Sequence, residues 1–459
     1  MEETRNLAQK CYDLNFDNLP KEVVDRTKYL FLDFIGVAAR GALSDSSVPV
    51  HNLFRTLGVR KDGAVVIGTD RKLEPPYAAL ANGTAAHSLE LDDVVNAASL
   101  HPGVAVMPAA LAAAHLNPCT GKEFIEAVVA GYEVTSRLGI ALNPSAHYAQ
   151  GFHPTGTCGT LAAAVTAAKV LKLNTEKTIR ALGIAGSQAA ASMEFLSDGS
   201  FTKRFHAGWA AHSGLLAGLL AREGFTGPAT ILEGKFGFFH AYSPKSEPQK
   251  LLENWAAPYQ VMRTSIKPHS CCRYKQGPID AVLKIMRENR LSPEDVESAE
   301  VAVLKTGHAL VVVPRELKYR PESIVDAQFS MPFGAAVAIL YGKATLDEYT
   351  PEKIASPQVS EMMRRIRCTE DPSIEDEFPK KWQATATLRT KNGKVFSARV
   401  EFPKGDPENP LTWDELIEKF KGLAAPVFDS EHMDRIVGRV RALDQVDDIA
   451  SFSSILRRS

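Results

Sequence analysis

The stretch Gly159–Leu173, with the sequence GTLAAAVTAAKVLKL, decides the fold class of this chain of 459 residues. Alanine and leucine are strong helix formers, and a helix with so many alanines is apolar on most of its faces. Such a helix packs closely against other helices. Three further stretches share this character: Pro108–His115, Gly121–Leu138 and Ala207–Arg222. Residues 1–262 are therefore predicted to form a large all-helical domain.

The composition changes beyond residue 262, where runs with strand character appear. These are Val301–Val313, Trp382–Leu388 and Val395–Phe402, separated and followed by the helical stretches Asp280–Asn289, Asp326–Tyr341, Trp413–Phe420 and Asp434–Leu443. Asn392–Gly393 joins two alternating runs, a strong hairpin signal because both central residues of a type I′ turn need positive φ. We predict a smaller α+β domain over 263–405, and a return of 406–459 to the first domain. The predicted fold class is mainly α.

The charge balance argues against a polyanion as partner. The chain has 53 Lys and Arg against 54 Asp and Glu and no basic run, whereas binding to nucleic acid needs a clustered excess of cations. The acidic N-terminus lacks the features of a signal peptide, and no run reaches the roughly 20 apolar residues of a membrane span. We predict a cytoplasmic protein with neither a nucleic-acid nor a membrane partner. The six cysteines contain no C-x-x-C and signal neither a zinc ribbon nor a disulfide framework.

Acidic residues interrupt the helical region between His87 and His101. Glu90, Asp92 and Asp93 fall within four residues, and burial there would require at least one of them to pair with a cation or a histidine. A solvated helix end explains the same pattern. A metal site is a weaker alternative, because the spacing matches no common ligand set.

A second cluster precedes the alanine-rich helix. Tyr148 and His153 lie in a stretch with Gly151, Pro154 and Gly156, which ends at Cys158. A loop of this composition ahead of a helix offers backbone N–H groups to an anion, and the tyrosine and histidine are able to move protons. The alternative is a helix cap with a structural histidine. A thiol nucleophile at the head of an apolar helix is disfavoured.

Two further clusters are cationic. Lys203, Arg204 and His206 precede the helical stretch that begins at Ala207, and Lys267, His269, Arg273 and Gln276 open the second domain. Arginine is the better bidentate partner for a carboxylate and lysine the better proton donor. Solvated basic loops are the alternative in both places. Together the four clusters favour a polycarboxylate site served by His, Lys and Arg without a metal.

The same residues carry a resemblance to a known family. The sequence resembles the MmgE/PrpD family, which contains 2-methylcitrate dehydratase, cis-aconitate decarboxylase and iminodisuccinate epimerase. The motifs are Ala81-Asn82-Gly83 through His87, Glu90-Leu91-Asp92-Asp93, His101-Pro102-Gly103, Gly151 to Gly156, Asp198-Gly199-Ser200 to Gly214, and Cys271-Cys272-Arg273 with Ile279-Asp280-Ala281, in order over nearly the whole chain. The resemblance implies a helical domain with an α+β lid, a homodimer, neither a metal nor an organic cofactor, and proton transfer at a carbon next to a carboxylate.

The resemblance and the cationic clusters together suggest roles for individual residues. His101, Tyr148, His153 and Lys203 are the expected catalytic residues. The expected substrate-binding residues are Glu90, Asp93, Arg204, His206, Lys267, His269, Arg273 and Gln276. Within that set the acids would orient the histidines, while Arg204, Lys267 and Arg273 would hold carboxylates.

One departure from the family pattern bears on the reaction. Gln276 stands where many dehydratase- and decarboxylase-type members have a histidine, and glutamine exchanges no proton at neutral pH. This substitution argues against cis-aconitate decarboxylase activity. We predict first a cofactor-independent hydro-lyase, similar to 2-methylcitrate dehydratase, that acts on a hydroxy-polycarboxylate. The alternatives are a two-base epimerase of an imino or amino dicarboxylate that uses Tyr148 and Lys203, a cis-aconitate decarboxylase-like enzyme, and a family member that binds a carboxylate without catalysis.

Overall fold

The alanine-rich stretch lies in the helix Pro154–Val170, which is buried along almost its whole length. The structure of the protein, a computed structural model, describes residues 2–378 and 380–458. In it the chain divides into two compact units. Unit 1 comprises the chain up to Ser88, Asp92–Ser265 and the chain from Thr412 onward, and unit 2 comprises Leu89–Leu91 and Ile266–Leu411. The mainly helical fold class with a smaller α+β part is confirmed.

Unit 1 is built mainly from helices, and the longer ones have about three to six turns. They are α1 Glu3–Asp13, α2 Lys21–Gly41, α3 Ser47–Leu57, α4 Pro75–Ala86, α5 Gly103–Leu116, α6 Gly121–Ala141, α7 Pro144–Ala149, α8 Pro154–Val170, α9 Thr175–Gly186, α10 Thr202–Arg222 and α11 Phe238–Tyr242. Two small antiparallel ladders join β1 Ala64–Val65 to β2 Lys72–Leu73 and β3 Val94–Val95 to β4 Thr264–Ser265.

Helix α10 crosses α4 at very short range. A Cβ on Gly83 of α4 would lie 2.8 Å from the Cα of Gly208 on α10, and a Cβ on Gly208 would lie 2.2 Å from the carbonyl oxygen of Leu80. Only glycine at both positions permits this backbone approach. The crossing brings the first turns of α10 beside the end of α4, where His87 follows the helix.

Two predicted helix starts were wrong. Helix α5 begins one turn and more before Pro108, which lies inside it, and α10 begins at Thr202 rather than at Ala207. The sequence prediction took proline and the start of the alanine run as the first helical residues. Lys and Arg are themselves good helix formers, so the α10 helix extends back through them. Lys203, Arg204 and His206 therefore belong to the helix and do not precede it.

Unit 2 combines helices with one mixed sheet. Its elements are α12 Gln276–Glu288, β5 Val296–Val303, α13 Lys305–Val311, α14 Arg315–Lys318, α15 Ile324–Gln328, α16 Met331–Tyr341, α17 Pro351–Ile354, α18 Pro357–Arg364, β6 Ile366–Glu370, β7 Ala384–Thr390 and β8 Val395–Val400. The strand order is β6-β5-β7-β8, with β5 and β6 parallel and the other pairs antiparallel. Residues of α12 and α16 pack in its apolar core.

Three local predictions in unit 2 need correction. The predicted strand Val301–Val313 ends at Val303 and continues as α13, since its second half has no alternation to fit a pleated strand. The predicted helix Asp326–Tyr341 is interrupted, because the Ser330 side chain caps the N-terminus of α16. The hairpin is confirmed with a different turn. Gly393 has φ +82°, and its N–H donates to the Thr390 carbonyl, as in a three-residue loop with a bulge.

The C-terminal segment adds α19 Trp413–Ala424, α20 Ser430–Arg441 and α21 Ile449–Ser453 to unit 1. Helix α19 packs against α2, where a Cβ on Gly36 would lie 3.0 Å from the ring of Phe420. In the described part of the chain, no helix combines the length and the apolar character that a bilayer span requires. The prediction that 263–405 acts as a lid stays a prediction, as do the homodimer and the cytoplasmic location.

Candidate active site

A buried carboxylate joins two imidazole rings in unit 1. Oδ2 of Asp92 lies 2.8 Å from Nδ1 of His87 and 3.1 Å from Nδ1 of His101. His87 follows α4 directly, and His101 lies two residues before α5, so the ends of two helices and the segment between them place the three groups. His87 is fully buried, and its Nε2 has no hydrogen-bond partner among the described residues. The carboxylate therefore fixes the orientation of both rings.

The neighbouring Asp93 is also buried and accepts two hydrogen bonds. The hydroxyl of Tyr132 donates to Oδ2 at 2.6 Å, and the backbone N–H of Gly103 donates to Oδ1 at 3.1 Å. Burial raises the pKa of Asp93 to about 7, against the lowering effect of the Tyr132 hydrogen bond. Its backbone carbonyl lies 2.6 Å from His101 Nδ1. Asp93 is thus a buried acid that titrates near neutral pH.

A second pair of imidazoles lies beside the first. Nδ1 of His153 and Nδ1 of His206 are 3.2 Å apart, and the rings of His153 and His87 are stacked with centroids 5.6 Å apart. Burial lowers the pKa of His153 well below its usual value, and lowers the pKa of His206 to about 4; the positive charge of Lys203 lowers both further. At neutral pH these rings are uncharged, so one N–H is shared between two basic nitrogens. A neutral pair of this kind is suited to take or return a proton.

Tyr148 is connected to the site through the backbone. Its hydroxyl donates to the carbonyl of Ser99 at 2.8 Å, and Ser99 lies in the turn that leads into His101. The N–H of His101 donates to Oγ1 of Thr155 on α8 at 3.2 Å. These two hydrogen bonds fix the backbone at Ser99 and at His101.

The predicted residues of unit 2 form separate pairs. Nζ of Lys267 lies 3.7 Å from a carboxylate oxygen of Glu90, Nη2 of Arg273 donates to both carboxylate oxygens of Asp406 at 2.7 and 2.6 Å, and Nε2 of His269 lies 2.9 Å from Asp280. Arg273 also lies over the ring of Trp382. These residues are all buried or nearly so, which excludes the solvated basic loop that spacing alone allowed.

Gln276 has a local structural role in unit 2. Its amide nitrogen donates to the carbonyls of His269 and Cys271 at 3.0 and 3.1 Å, and its amide oxygen accepts from the N–H of His269 at 3.2 Å. The side chain is fully buried. It closes the loop between β4 and α12 and uses both ends of its amide to do so.

Seven of the predicted residues belong to unit 1 and five to unit 2. The unit 1 residues are Asp93, His101, Tyr148, His153, Lys203, Arg204 and His206, while Glu90, Lys267, His269, Arg273 and Gln276 belong to unit 2. Arg204 is buried, with its guanidinium over the Phe201 ring. Glu90, Asp92 and Asp93 are at most 5 % exposed, which excludes the solvated helix end. Burial raises the pKa of Cys158 to about 12 and excludes a thiolate nucleophile.

Three residues of the site were missing from the predicted set. His87 and Asp92 lay within the quoted motif, and their spacing across a helix end was the available signal. Tyr132 gave no signal, because it lies inside the apolar helix α6. Within the described chain, His87, Asp92 and His101 each offer a ligand atom within 4.8 Å of the others. Asp92 is hydrogen-bonded to His87, and the His101 ring is hydrogen-bonded to the carbonyl of Asp93.

The fold and the site define a class of protein: a mainly helical protein with a buried imidazole–carboxylate cluster. The chain belongs to the MmgE/PrpD family. The family's N-terminal domain matches residues 5–251 and its C-terminal domain matches residues 269–445.

Similar proteins include enzymes of two named activities. The chain is 27% identical to a cis-aconitate decarboxylase-like protein of Aspergillus oryzae and 28% identical to a human cis-aconitate decarboxylase, in each case over 99% of this chain and over 97% and 94% of those proteins. It is 22% identical to a 2-methylcitrate dehydratase of Escherichia coli, over 93% of this chain and 91% of that protein. Decarboxylation and dehydration are both lyase reactions.

Proposed function

We propose that this protein is a lyase that works without a cofactor on a small polycarboxylate, by proton transfer at the carbon next to a carboxylate. The observation that carries the proposal is the neutral pair His153 and His206 beside Lys203. A neutral imidazole takes a proton from carbon, and a nearby ammonium lowers the energy of the enolate-like charge that develops. Asp92 holds two further rings in place for the same site.

The two lyase reactions differ in the direction in which the proton moves. In dehydration the base removes the α-proton, the C–O bond breaks, and the hydroxide leaves as water after protonation. In decarboxylation the C–C bond breaks, CO₂ leaves, and the electron pair left behind takes up a proton. The neutral imidazole pair accepts the α-proton in dehydration, whereas in decarboxylation the neighbouring ammonium of Lys203 would donate the proton that the carbon takes up.

We place decarboxylation first. The similarity to the cis-aconitate decarboxylases is higher and covers more of the chain than the similarity to the dehydratases. The departure at Gln276 had favoured dehydration, but both ends of its amide are used to close a loop. The absence of a histidine there therefore carries little weight against decarboxylation by the histidines of unit 1.

Dehydration of a hydroxy-polycarboxylate remains the second candidate, because the lowered pKa values keep His153 and His206 neutral at neutral pH, so that a ring nitrogen is available to accept an α-proton. The two-base epimerase receives less support. It would need the Tyr148 phenol as a base, whereas that hydroxyl donates its proton to the carbonyl of Ser99.

The test is direct. Purified protein is incubated separately with cis-aconitate, 2-methylcitrate and citrate, while CO₂ release and the ultraviolet absorbance of the conjugated alkene are recorded. We expect CO₂ from cis-aconitate or alkene from a hydroxy acid, and a loss of at least about a hundredfold in His153→Gln. His115→Gln is the matched control, since His115 lies outside the cluster and contacts the carbonyl of Asp62. A folded protein that releases neither product from any of these acids would refute the lyase proposal.

A further inference from the structure

The three residues Leu89–Leu91 connect the site's histidine to its carboxylate. They follow His87 and Ser88 and run directly into Asp92. Glu90 at their centre has φ +55°. This left-handed conformation is uncommon for a residue with a Cβ, so it persists only where the surroundings enforce it.

Side chains from unit 2 hold this segment by its backbone. The hydroxyl of Ser270 and the amide nitrogen of Gln328 both donate to the carbonyl of Leu89, at 3.0 and 3.1 Å. The ammonium of Lys267 donates to the carbonyl of Glu90 at 3.1 Å. Gln328 also donates to Ser270, at 3.3 Å, and both side chains are almost fully buried.

Gln328 is itself held by a buried cation. Nζ of Lys275 donates to the carbonyls of Ala327 and Gln328, at 2.8 and 3.2 Å, and to the hydroxyl of Tyr349 at 3.2 Å. The N–H of Cys272 donates to the Gln328 carbonyl at 3.1 Å. These contacts fix the backbone at Gln328, from which the side chain extends to the carbonyl of Leu89.

We propose that Ser270 and Gln328 are positioning residues for the pair of His87 and Asp92. They hold the carbonyl of Leu89, and the strained segment carries that constraint through three peptide units to the carboxylate. Asp92 in turn orients both imidazoles, at 2.8 and 3.1 Å. Neither side chain is a catalytic residue. Loss of either donor leaves the Leu89 carbonyl with one buried partner fewer, and the segment relaxes away from the left-handed conformation.

The effect on turnover rests on the proposed lyase function, so the experiment has one readout that does not. Ser270→Ala and Gln328→Leu are compared with Thr390→Val. The control removes a buried hydroxyl of the same unit that donates within the β7–β8 hairpin, to Asn392 and to the carbonyl of Lys394. The first readout is the set of imidazole ring resonances in protein labelled with ¹⁵N-histidine, with His87 and His101 assigned from variants. The second is the dependence of kcat and KM on pH.

We expect the His87 and His101 resonances to move in Ser270→Ala and Gln328→Leu and to stay in Thr390→Val. On the substrate that turns over, kcat falls about tenfold with a smaller change in KM, and the pH profile shifts, because misplaced catalytic groups lose rate rather than binding. Unmoved ring resonances in folded Ser270→Ala and Gln328→Leu would overturn the inference. Moved resonances in a protein that turns over no acid would uphold it and refute the lyase proposal instead.

Discussion

Replacement of Asp93 by asparagine is expected to change how the stability of the protein depends on pH. The folded chain binds a proton at Asp93 with a pKa of about 7, whereas the ordinary value is 3.8. Asparagine mimics the protonated acid. Its oxygen would accept from the Gly103 N–H, and its NH₂ would donate to the Tyr132 hydroxyl, the two groups that now contact the carboxylate.

The sign and size follow from this difference in pKa. Because folding raises the pKa, the stabilising contribution is complete below about pH 3.8 and is lost as the pH rises through 7. At about 1.4 kcal/mol per pKa unit, the whole interval corresponds to about 4 kcal/mol, of which about 3 kcal/mol falls between pH 5 and pH 9. Asp93→Asn has no such loss. The variant is therefore expected to gain about 3 kcal/mol relative to the parent across that range.

The assay is urea-induced unfolding followed by far-ultraviolet circular dichroism at pH 5, 7 and 9. The matched control is Asp62→Asn. Asp62 is exposed, and the pKa of its carboxyl is lowered by the hydrogen bond from Arg60, so its contribution is constant above about pH 5. If the difference between Asp93→Asn and the parent were the same at pH 5 and pH 9, to within about 0.5 kcal/mol, burial would not raise the Asp93 pKa and the reasoning would be refuted.

Three further predictions concern the same cluster. Gly156→Ala places a Cβ 2.5 Å from the Cβ of Ala191, so we expect the free energy of unfolding in urea to fall by about 1–3 kcal/mol and the activity to decrease. In the control Gly422→Ala, the new Cβ lies in open space on a helix, and the free energy of unfolding should rise by about 0.5–1 kcal/mol. His206 stays neutral down to about pH 4, so the acid limb of kcat/KM should lie well below pH 6.5 after correction for substrate ionisation; a limb near 6.5 would contradict its burial. Tyr132→Phe removes a hydrogen bond that stabilises ionised Asp93, so the pKa of Asp93 should rise, and the pH at which its contribution to the free energy of unfolding is lost should rise with it. If that pH is the same in the variant and the parent, the hydrogen bond does not affect Asp93.

The sequence predicted the structural features that depend on residues close together along the chain. The alanine-rich helices, the hairpin around Gly393 and the acidic segment after His87 follow from local composition and turn preference. The hydrogen bond from Gln328 to the carbonyl of Leu89 could not be predicted, because the two residues lie 239 positions apart along the chain. The sequence around a buried glutamine does not indicate which group its amide binds. Tyr132 escaped prediction for a similar reason, since an aromatic residue in an apolar helix ordinarily indicates core packing.

The segment that carries Asp92 and Asp93 is bracketed by two left-handed residues that are not glycine, and His101 follows the second of them by two residues: Glu90 has φ +55° and Ser99 has φ +50°. Each is held through a backbone carbonyl at or beside it. Lys267 donates to the carbonyl of Glu90, and Tyr148 donates to the carbonyl of Ser99. In the proposed reaction Tyr148 would therefore act through the placement of His101. Tyr148→Phe should lower kcat without abolishing turnover, because the rings and the carboxylate remain, whereas complete loss of activity in the folded variant would restore the tyrosine as a proton-transfer group.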